Sequence, residues 1–415
     1  MKTKLLFGLV SAAMSLLLTC SAYAAGSAPP RYRVINLGNP QGGTASQGTT
    51  DNQFGWIAGW STEADGTMLA ELWRGGTAMN LGTLGGPQSS VAWPNRNEHG
   101  VIVGISETNA LQPNGEAWSC YLAVFFVGDN HVCRGFVWRD GKMTGLPTLG
   151  GDNGFATGVN DADEIVGWAE DPVHDPTCDQ YNDTGQVLQF EAVMWVPDGN
   201  GSRYRAIELP PYPGDFDGAA TAINQRGEAV GISGICDGAI GGGTAEHMVM
   251  WNHGRVVREL PTLGGTYWNT PMDVNDLGDV IGFSDLPGDG PYFGAQNFHA
   301  FFWSSRPFDC NGKVAPGGST CDLGVLVPNV VSEALGVNDR DQVVGLSQIN
   351  SSGANHAFIW QNGRMTDLNS LVVPGSTTLT LTIAQDINDQ GVITGQATLA
   401  SNPNVIVAFE AIPVH

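Results

Sequence analysis

Short apolar segments recur along this chain, and turn-forming residues separate them. In each copy, a segment of small and apolar residues ends in Asn, a turn of a few residues follows, and a second apolar segment carries a Gly seven residues after the Asn. Asn-Asp-x-Gly turns between short apolar segments are typical of β-hairpins. Seven such pairs occur: Asn52 and Gly59, Asn97 and Gly104, Asn160 and Gly167, Asn224 and Gly231, Asn275 and Gly282, Asn338 and Gly345, and Asn388 and Gly395.

A longer unit surrounds each hairpin. After the second strand comes a connection of variable length, then a third strand that ends in Trp, a short Gly turn, and a fourth strand such as 365–368. Four short strands joined as a meander, with a period of roughly 45 to 65 residues, are the pattern of a propeller blade. Six copies carry the Trp: Trp73, Trp138, Trp195, Trp251, Trp303 and Trp360.

The two ends of the repeat region complement each other. Residues 33–38 match a fourth strand without strands one to three before them, and residues 407–411 match a third strand with nothing after it. We therefore expect residues 32–38 to pair with the blade built by residues 382–411, which removes two open sheet edges. The prediction is an all-β protein: a seven-bladed β-propeller of four-stranded blades, closed by an N-terminal strand and occupying residues 25–415 as one domain.

Two copies of the third strand share a signature. Residues 299–303 read His-Ala-Phe-Phe-Trp, residues 356–360 read His-Ala-Phe-Ile-Trp, and residues 81–86 read Leu-Gly-Thr-Leu-Gly-Gly between two repeats. These motifs resemble the extracellular HAF repeat family of bacteria, and the resemblance covers nearly all of the mature chain. It implies an exported bacterial protein and brings no catalytic residues with it.

The N-terminus predicts export. Residues 1–24 combine two early lysines, an apolar run over 5–18 and a small-x-small cleavage site that ends at Ala24, which is the pattern of a secretory signal peptide. Lipidation at Cys20 stays open as an alternative, because residues 17–20 loosely resemble a lipobox. The location predicted for the mature protein is secreted or periplasmic. No later segment is long and apolar enough to predict a membrane span.

The net charge of the mature chain indicates which binding partners are disfavoured. The signal peptide holds two of the 18 basic residues and none of the 41 acidic ones, so the mature chain carries a net charge of −25. Such a surface repels phosphate backbones and anionic lipid headgroups. We therefore expect no nucleic-acid partner, and we expect a monomer that binds a glycan or protein ligand.

Six cysteines remain after the signal peptide, and no two of them have the C-x-x-C spacing of a zinc or redox site. An even number of cysteines in an exported protein indicates disulfides. Two pairs are close enough in sequence to close local loops, and the third would join equivalent loops of neighbouring repeats. The predicted disulfides are Cys120–Cys133, Cys310–Cys321 and Cys178–Cys236.

The meander also predicts where a ligand binds. The Asn turns lie on one face, called here the turn face, whereas the strand two-to-three and inter-blade connections lie on the opposite loop face. Connections on the loop face vary in length and carry aromatic residues, which is typical of binding surfaces. Tyr267 and Trp268 are the preferred anchor, although packing against a neighbouring blade is an alternative. The predicted ligand-binding residues are Tyr267, Trp268, Tyr212, Phe216, Trp118 and Tyr181.

No motif in the chain predicts catalysis, so no catalytic or metal-binding residue and no cofactor is assigned. His299 and His356 recur at one repeat position, which indicates a structural role. Residues 215–218 and 285–289 resemble calcium loops but lack the six to eight oxygen ligands that calcium needs. The predicted function is a secreted, non-catalytic propeller that binds glycan or protein on its loop face. A glycan-active hydrolase or lyase and a calcium-stabilised surface or matrix protein remain alternatives.

Overall fold

The computed structural model shows seven four-stranded antiparallel sheets arranged as the blades of a β-propeller, as predicted. For residues 256 and 257, the structure describes the backbone and not the side chains. Trp118, Tyr181 and the predicted signal peptide lie outside the described part of the chain. The structure describes residues 30–95, 97–116, 120, 130–179, 185–199, 201, 203–236, 245–288 and 297–414.

Each blade is a meander whose first strand lies innermost. The first blade contains β2(Gly42–Asp51), β3(Trp56–Glu63), β4(Met68–Arg74) and β5(Thr77–Asn80), and the second contains β6(Gly85–Ser90), β7(Ile102–Leu111), β8(His131–Arg139) and β9(Lys142–Gly145). The third blade contains β10(Gly154–Val159), β11(Ile165–His174), β12(Leu188–Pro197) and β13(Tyr204–Glu208). The fourth contains β14(Asp217–Ile223), β15(Glu228–Gly234), β16(His247–Asn252) and β17(Arg255–Leu260).

The fifth blade contains an inserted hairpin, and a 3-10 helix follows the sixth (Leu368–Leu371). The fifth blade contains β18(Asn269–Val274), β19(Val280–Asp285), β20(Phe298–Ser304) and β23(Ser319–Gly324), and its inserted hairpin contains β21(Phe308–Cys310) and β22(Lys313–Ala315). The sixth blade contains β24(Ser332–Val337), β25(Val343–Gln348), β26(Asn355–Gln361) and β27(Arg364–Asp367). The seventh contains β28(Leu379–Ile387), β29(Ile393–Leu399) and β30(Asn402–Val414), and β1(Arg31–Gly38) completes it.

The N-terminal strand closes the ring, which confirms the predicted closure. Strand β1 pairs antiparallel with β30, so that Tyr32 lies opposite Pro413 and Val34 opposite Ala411. Both Tyr32 and Val34 are buried in an apolar cluster of the sixth and seventh blades. The backbone N–H of Val373 also donates to the carbonyl oxygen of Tyr32 at 2.8 Å, which ties β1 to the sixth blade.

The repeated Gly is required by a close approach of two strands. A Cβ atom at any of its seven positions would lie 1.9–2.2 Å from a carbonyl oxygen of the adjacent inner strand. At Gly167 that oxygen belongs to Phe155, and at Gly345 it belongs to Glu333. Contacts this short do not occur between a real Cβ and an oxygen, so every other residue would displace the inner strand.

The repeated Asn side chains form a chain of hydrogen bonds around the turn-face mouth of the central channel. Each amide oxygen accepts N–H groups of its own turn; Asn224 accepts from Arg226 and Glu228, both at 3.0 Å. In six of the seven blades the amide nitrogen donates to the main-chain carbonyl of the Asn in the next blade. The distances are 2.8 Å from Asn97 to Asn160, 3.1 Å from Asn160 to Asn224, 2.9 Å from Asn224 to Asn275, 3.1 Å from Asn275 to Asn338, 3.0 Å from Asn338 to Asn388 and 3.4 Å from Asn388 to Asn52.

A second set of inter-blade bonds runs beside the first. In six blades the residue after the Asn accepts, through its side chain, the backbone N–H of the equivalent residue in the preceding blade; Asp161 accepts from Glu98 at 2.7 Å and Asp276 from Gln225 at 2.9 Å. Four acidic members of this set, Glu98, Asp161, Asp276 and Asp389, line a small cavity of about 110 Å³ at the turn-face mouth. Because they hold adjacent blades together, their acidity there has a structural explanation.

The Trp residues at the ends of the third strands pack between blades. The Trp195 indole N–H donates to the carbonyl oxygen of Pro147 at 2.7 Å, and that of Trp251 to Pro210 at 2.9 Å. Each bond reaches from one blade to the connection that precedes it. Both rings are also completely buried, so this position supplies both apolar area and a fixed blade-to-blade contact.

All three predicted disulfides are present. Two close short segments and the third joins the third blade to the fourth. The pairs are Cys120–Cys133, Cys178–Cys236 and Cys310–Cys321. Within the described residues, no helix has the length and apolar character needed to cross a membrane.

Candidate functional site

Aromatic side chains form two groups in the interior of the propeller. Trp93, Phe155 and Trp168 meet with ring centroids 4.6–6.0 Å apart, and the Trp93 ring stands edge-on to the other two. Trp268 joins a second aromatic group, with its centroid 5.4 Å from Phe283 and 5.2 Å from Phe298. Both groups belong to one large apolar cluster.

A cavity of about 400 Å³ lies against this cluster, and Trp93, Met272 and Leu346 belong to both. Its walls come mainly from the first, second, sixth and seventh blades, so residues from both ends of the chain meet there. Met68, the first residue of β4, follows a strand two-to-three connection, which places this wall toward the loop face. The lining residues are Gln47, Trp60, Met68, Ser90, Ala92, Trp93, Met272, Glu333, Leu335, Leu346, Ile383, Gln385 and Gln396.

Three glutamines on the cavity wall bond to each other. The amide nitrogen of Gln396 donates to the amide oxygen of Gln47 at 2.6 Å, and the nitrogen of Gln47 donates to the oxygen of Gln385 at 3.1 Å. These bonds join the first and seventh blades, where the ring closes. They also use two of the amide nitrogens and two of the amide oxygens that could otherwise bind a ligand.

Glu333 is the one acidic residue among the described residues that line the cavity. No hydrogen bond or ion pair to its carboxylate is formed by the described part of the chain, and its neighbours include Leu335 and Leu346. Burial in this apolar wall raises the pKa of Glu333 to about 7. A carboxylate with no partner in an apolar cavity is energetically costly, and a bound cation would remove that cost.

The raised pKa predicts a pH-dependent cost in stability. Because the folded protein holds the Glu333 proton more tightly than the unfolded chain, the cost is absent below about pH 4, grows as pH rises, and is complete above about pH 7. Glu333→Gln should therefore raise the free energy of unfolding at pH 8 by about 2 to 3 kcal/mol and leave it unchanged at pH 4. Denaturant unfolding at both pH values checks this. An equal effect at the two pH values would contradict it.

The four predicted binding residues that the structure describes do not line this cavity. Trp268 packs into the aromatic group of the fifth blade, and its backbone N–H donates to Asp285 at 2.8 Å. Tyr267 is half-buried beside it. Tyr212 stacks on His247 with ring centroids 3.9 Å apart, and Phe216 is 39% exposed. A binding role for these aromatic residues stays a prediction, and Trp118 and Tyr181 lie outside the described residues.

The cavity residues could have been found by aligning the repeats on their Asn. The position five residues before the Asn faces the channel, and it is apolar, small or Thr in five blades. The exceptions are Gln47 and Glu333. The residue after the repeated Gly is apolar in six blades and Gln396 in the seventh. These departures mark the polar side of the channel. The full set five residues before the Asn is Gln47, Ala92, Phe155, Ala219, Thr270, Glu333 and Ile383.

The histidines at the repeat position form ion pairs or hydrogen bonds with aspartates. The Nδ1 atom of His299 lies 2.9 Å from Asp322, and that of His356 lies 2.8 Å from Asp367. In both blades the aspartate belongs to the fourth strand. These contacts link the third and fourth strands and agree with the structural role predicted from the repeat.

No protein-family model and no curated protein matches the sequence. Similar solved structures include the β-propeller domain of the Trilobed protease from Pyrococcus furiosus, with 9% identity, a TM-score of 0.47 and coverage of 88% of this chain and 94% of that chain. A streptogramin B lyase structure is similar at 10% identity with a TM-score of 0.47, over 92% of this chain and 98% of that chain. Similarity at this level concerns the fold alone.

Proposed function

We propose that this protein is an exported, non-catalytic binding protein whose central cavity takes a small amphipathic amine. The observation that carries the proposal is the Glu333 carboxylate, which has no hydrogen-bond or ion-pair partner among the described residues and lies in a cavity whose other lining residues are uncharged. A ligand with an apolar body and one ammonium group would pair with the carboxylate and fill the space beside it. Export is supported by the predicted signal peptide, by the three disulfides and by the resemblance to the extracellular HAF repeat family.

The walls suit the body of such a ligand. Trp60 and Trp93 offer indole faces, and Met68 and Met272 offer flexible side chains that adapt to different shapes. A volume of about 400 Å³ lies in the range of small-molecule sites and is too small for a folded domain. A peptide could enter only by inserting a lysine or arginine side chain or its terminal amine, which present the same charge to Glu333.

Two features favour an amine over a neutral glycan and over catalysis. A sugar needs several free hydrogen-bonding groups, whereas the glutamines of the wall bond to each other. Glycoside hydrolysis uses two carboxyl groups on opposite sides of the bond that is cleaved. Of the described cavity-lining residues, Glu333 alone carries a carboxyl group. The proposal therefore keeps the predicted binding function and moves the site from the loop aromatics to the channel.

The test compares an amine with its neutral counterpart. Isothermal titration at pH 8 should show binding of phenethylamine at least tenfold tighter than binding of 2-phenylethanol. Lowering the pH to 5 should remove that preference, because Glu333 is then protonated. Glu333→Gln should remove it at both pH values, and Glu63→Gln, the same substitution at an exposed position on the loop face, should leave it intact. Equal affinities for amine and alcohol in the unmodified protein would overturn the proposal.

A further inference from the structure

A shallow groove of about 430 Å³ lies on the turn face between the first and second blades. Its walls come from three turns: the Asn turn of the first blade, the Gly turn that follows β4, and the Asn turn of the second blade. A groove of this volume is large enough for a small molecule. The lining residues that determine its chemistry are Phe54, Trp56, Arg74, Glu98, His99 and Gly100.

Arg74 lacks the aspartate with which the equivalent arginine of the second blade pairs. Arg74 and Arg139 both follow the terminal Trp of a third strand. Arg139 forms an ion pair with Asp163 of the third blade at 2.6 Å. Asp163 lies three residues after the repeated Asn, and the second blade carries Gly100 at that position. No carboxylate therefore stands there to meet Arg74, and the described residues form no ion pair or hydrogen bond with its guanidinium group.

The ring of Trp56 holds this guanidinium group in place. The Cζ atom of Arg74 lies 4.1 Å from the ring centroid, which is a cation–π contact. Four other blades carry an acidic or amide residue at the position of Trp56, and there the side chain accepts from the amide of the repeated Asn. Gly100 leaves room for the ring, since a Cβ atom at this residue would lie 3.0 Å from two ring carbons. A ligand therefore meets a guanidinium group that is already positioned.

Phe54 adds an exposed aromatic ring to the groove. Its side chain is 73% exposed, the largest value among the large apolar residues that the structure describes. Its backbone N–H donates to the Asn52 side chain at 3.0 Å, so the hairpin turn fixes the point from which the ring projects. None of the other six blades carries Phe, Tyr or Trp at this position. A flat ligand that covers the ring would remove its apolar surface from water.

Glu98 and His99 line the groove without pairing with Arg74. The carboxylate oxygens of Glu98 accept the backbone N–H of Gln53 at 3.1 and 3.3 Å, as part of the inter-blade set described above. The Nδ1 atom of His99 lies 3.2 Å from the carbonyl oxygen of Asp161, and it donates because a carbonyl oxygen only accepts. Both side chains are thus held by neighbouring turns, and the charge of Glu98 disfavours a ligand with two negative charges.

We propose that this groove binds an aromatic monocarboxylate. The carboxylate group of the ligand pairs with Arg74, as the Asp163 side chain pairs with Arg139, and a guanidinium group suits a carboxylate because it can donate two parallel hydrogen bonds. The aromatic ring of the ligand stacks on Phe54. The groove shares no lining residue with the Glu333 cavity, so its failure to bind would leave the proposed function untouched.

The experiment is isothermal titration at pH 7.5 with 3-phenylpropionate and with 3-phenylpropanamide, its neutral counterpart. The acid should bind at least about fivefold more tightly than the amide, because a charge-assisted hydrogen bond is stronger than a neutral one. Arg74→Gln should remove this preference, and Phe54→Ala should weaken the binding of both ligands. Arg258→Gln is the matched control, because Arg258 is an exposed arginine that also lies over an indole ring, and it should change neither affinity.

A second pair of variants supplies the missing partner within the chain. Gly100→Asp places a carboxylate where the third blade carries Asp163, so it should compete with the ligand and remove the preference for the acid. Gly100→Asn has nearly the same shape and equally tolerates the φ of +80°, and it should keep the preference. Equal affinities for acid and amide in the unmodified protein would overturn the proposal, and so would a preference that survives Arg74→Gln. Glu333→Gln should leave the preference intact, which separates this site from the central cavity.

Discussion

Deletion of residues 30–39 is expected to abolish the cooperative unfolding transition of this protein. Without β1, strand β30 loses its hydrogen-bonded partner and the seventh blade loses its outer strand. The buried side chains of Tyr32 and Val34 leave the apolar cluster that contains Phe409. The combined loss exceeds about 5 kcal/mol, which is comparable to the whole stability of many domains. Circular dichroism melting should show a broad transition at lower temperature.

Two matched controls separate closure from a general effect of truncation. Val34 is 5% exposed and Ile35 is 38% exposed, so Val34→Asp should destabilise strongly whereas Ile35→Asp on the same strand should not. A synthetic peptide of residues 30–39 added to the truncated protein should restore part of the transition. A truncated protein that melts like the full chain would show that the ring does not depend on this strand.

The closure of the ring could be predicted because each of the two strands that form it is recognisable from its own short sequence. Residues 33–38 resemble a fourth strand and residues 407–411 resemble a third, and a repeat fold leaves one place for each. The disulfides follow from similar reasoning, since Cys120–Cys133 and Cys310–Cys321 are close in sequence and the remaining pair lies in neighbouring repeats. In both cases one repeat can be compared with the others without knowing any distance in space.

Comparison of the repeats singles out Gln47 and Glu333, but it does not predict the cavity that they line. Gln47 and Gln385 are hydrogen-bonded although 338 residues separate them, and their contact depends on the curvature that brings the last blade to the first. Glu333 lies in a strand where alternate residues face the channel, and only the packing of the other blades shows that its side of the channel is empty. Aromatic residues on the loops are the more visible signal, and Trp268 instead packs into the core cluster.

Asp217 and the acidic residues Asp175 and Glu191 of the third blade illustrate a different limit. As an isolated segment, residues 215–218 resemble a calcium loop but lack ligands. The structure divides the segment: Asp215 accepts from Ser233 at 2.6 Å and lies 2.9 Å from His247, whereas Asp217 turns toward the third blade. A group of carboxyl groups assembled from two blades has no linear signature, so it becomes visible only in three dimensions.

The repeated Asn is predicted to be a turn residue, and the structure gives it a second role. Asn224 is fully buried and makes four hydrogen bonds: two within its turn, one to the Glu228 carboxylate at 2.9 Å, and one to the main-chain carbonyl of Asn275 at 2.9 Å. The first three hydrogen bonds are formed within the hairpin that contains Asn224. The fourth depends on the neighbouring blade, and it explains why Asn, rather than Asp, stands at the end of every inner strand.

Asn224→Ala is therefore expected to lower the free energy of unfolding by about 3 to 5 kcal/mol, because it leaves several buried donors and acceptors unpaired. Asn80→Ala, which removes a single exposed bond to the N–H of Gly82, should cost at most about 1 kcal/mol. Denaturant titration measures both. The inter-blade bond is isolated in a Glu228→Gln background. There, an added Asn224→Asp keeps the turn acceptors and can accept from the amide introduced at position 228, but it cannot donate to the Asn275 carbonyl. If Asn224→Asp costs nothing in that background, the bond between blades does not contribute to stability, and the Asn serves its turn alone.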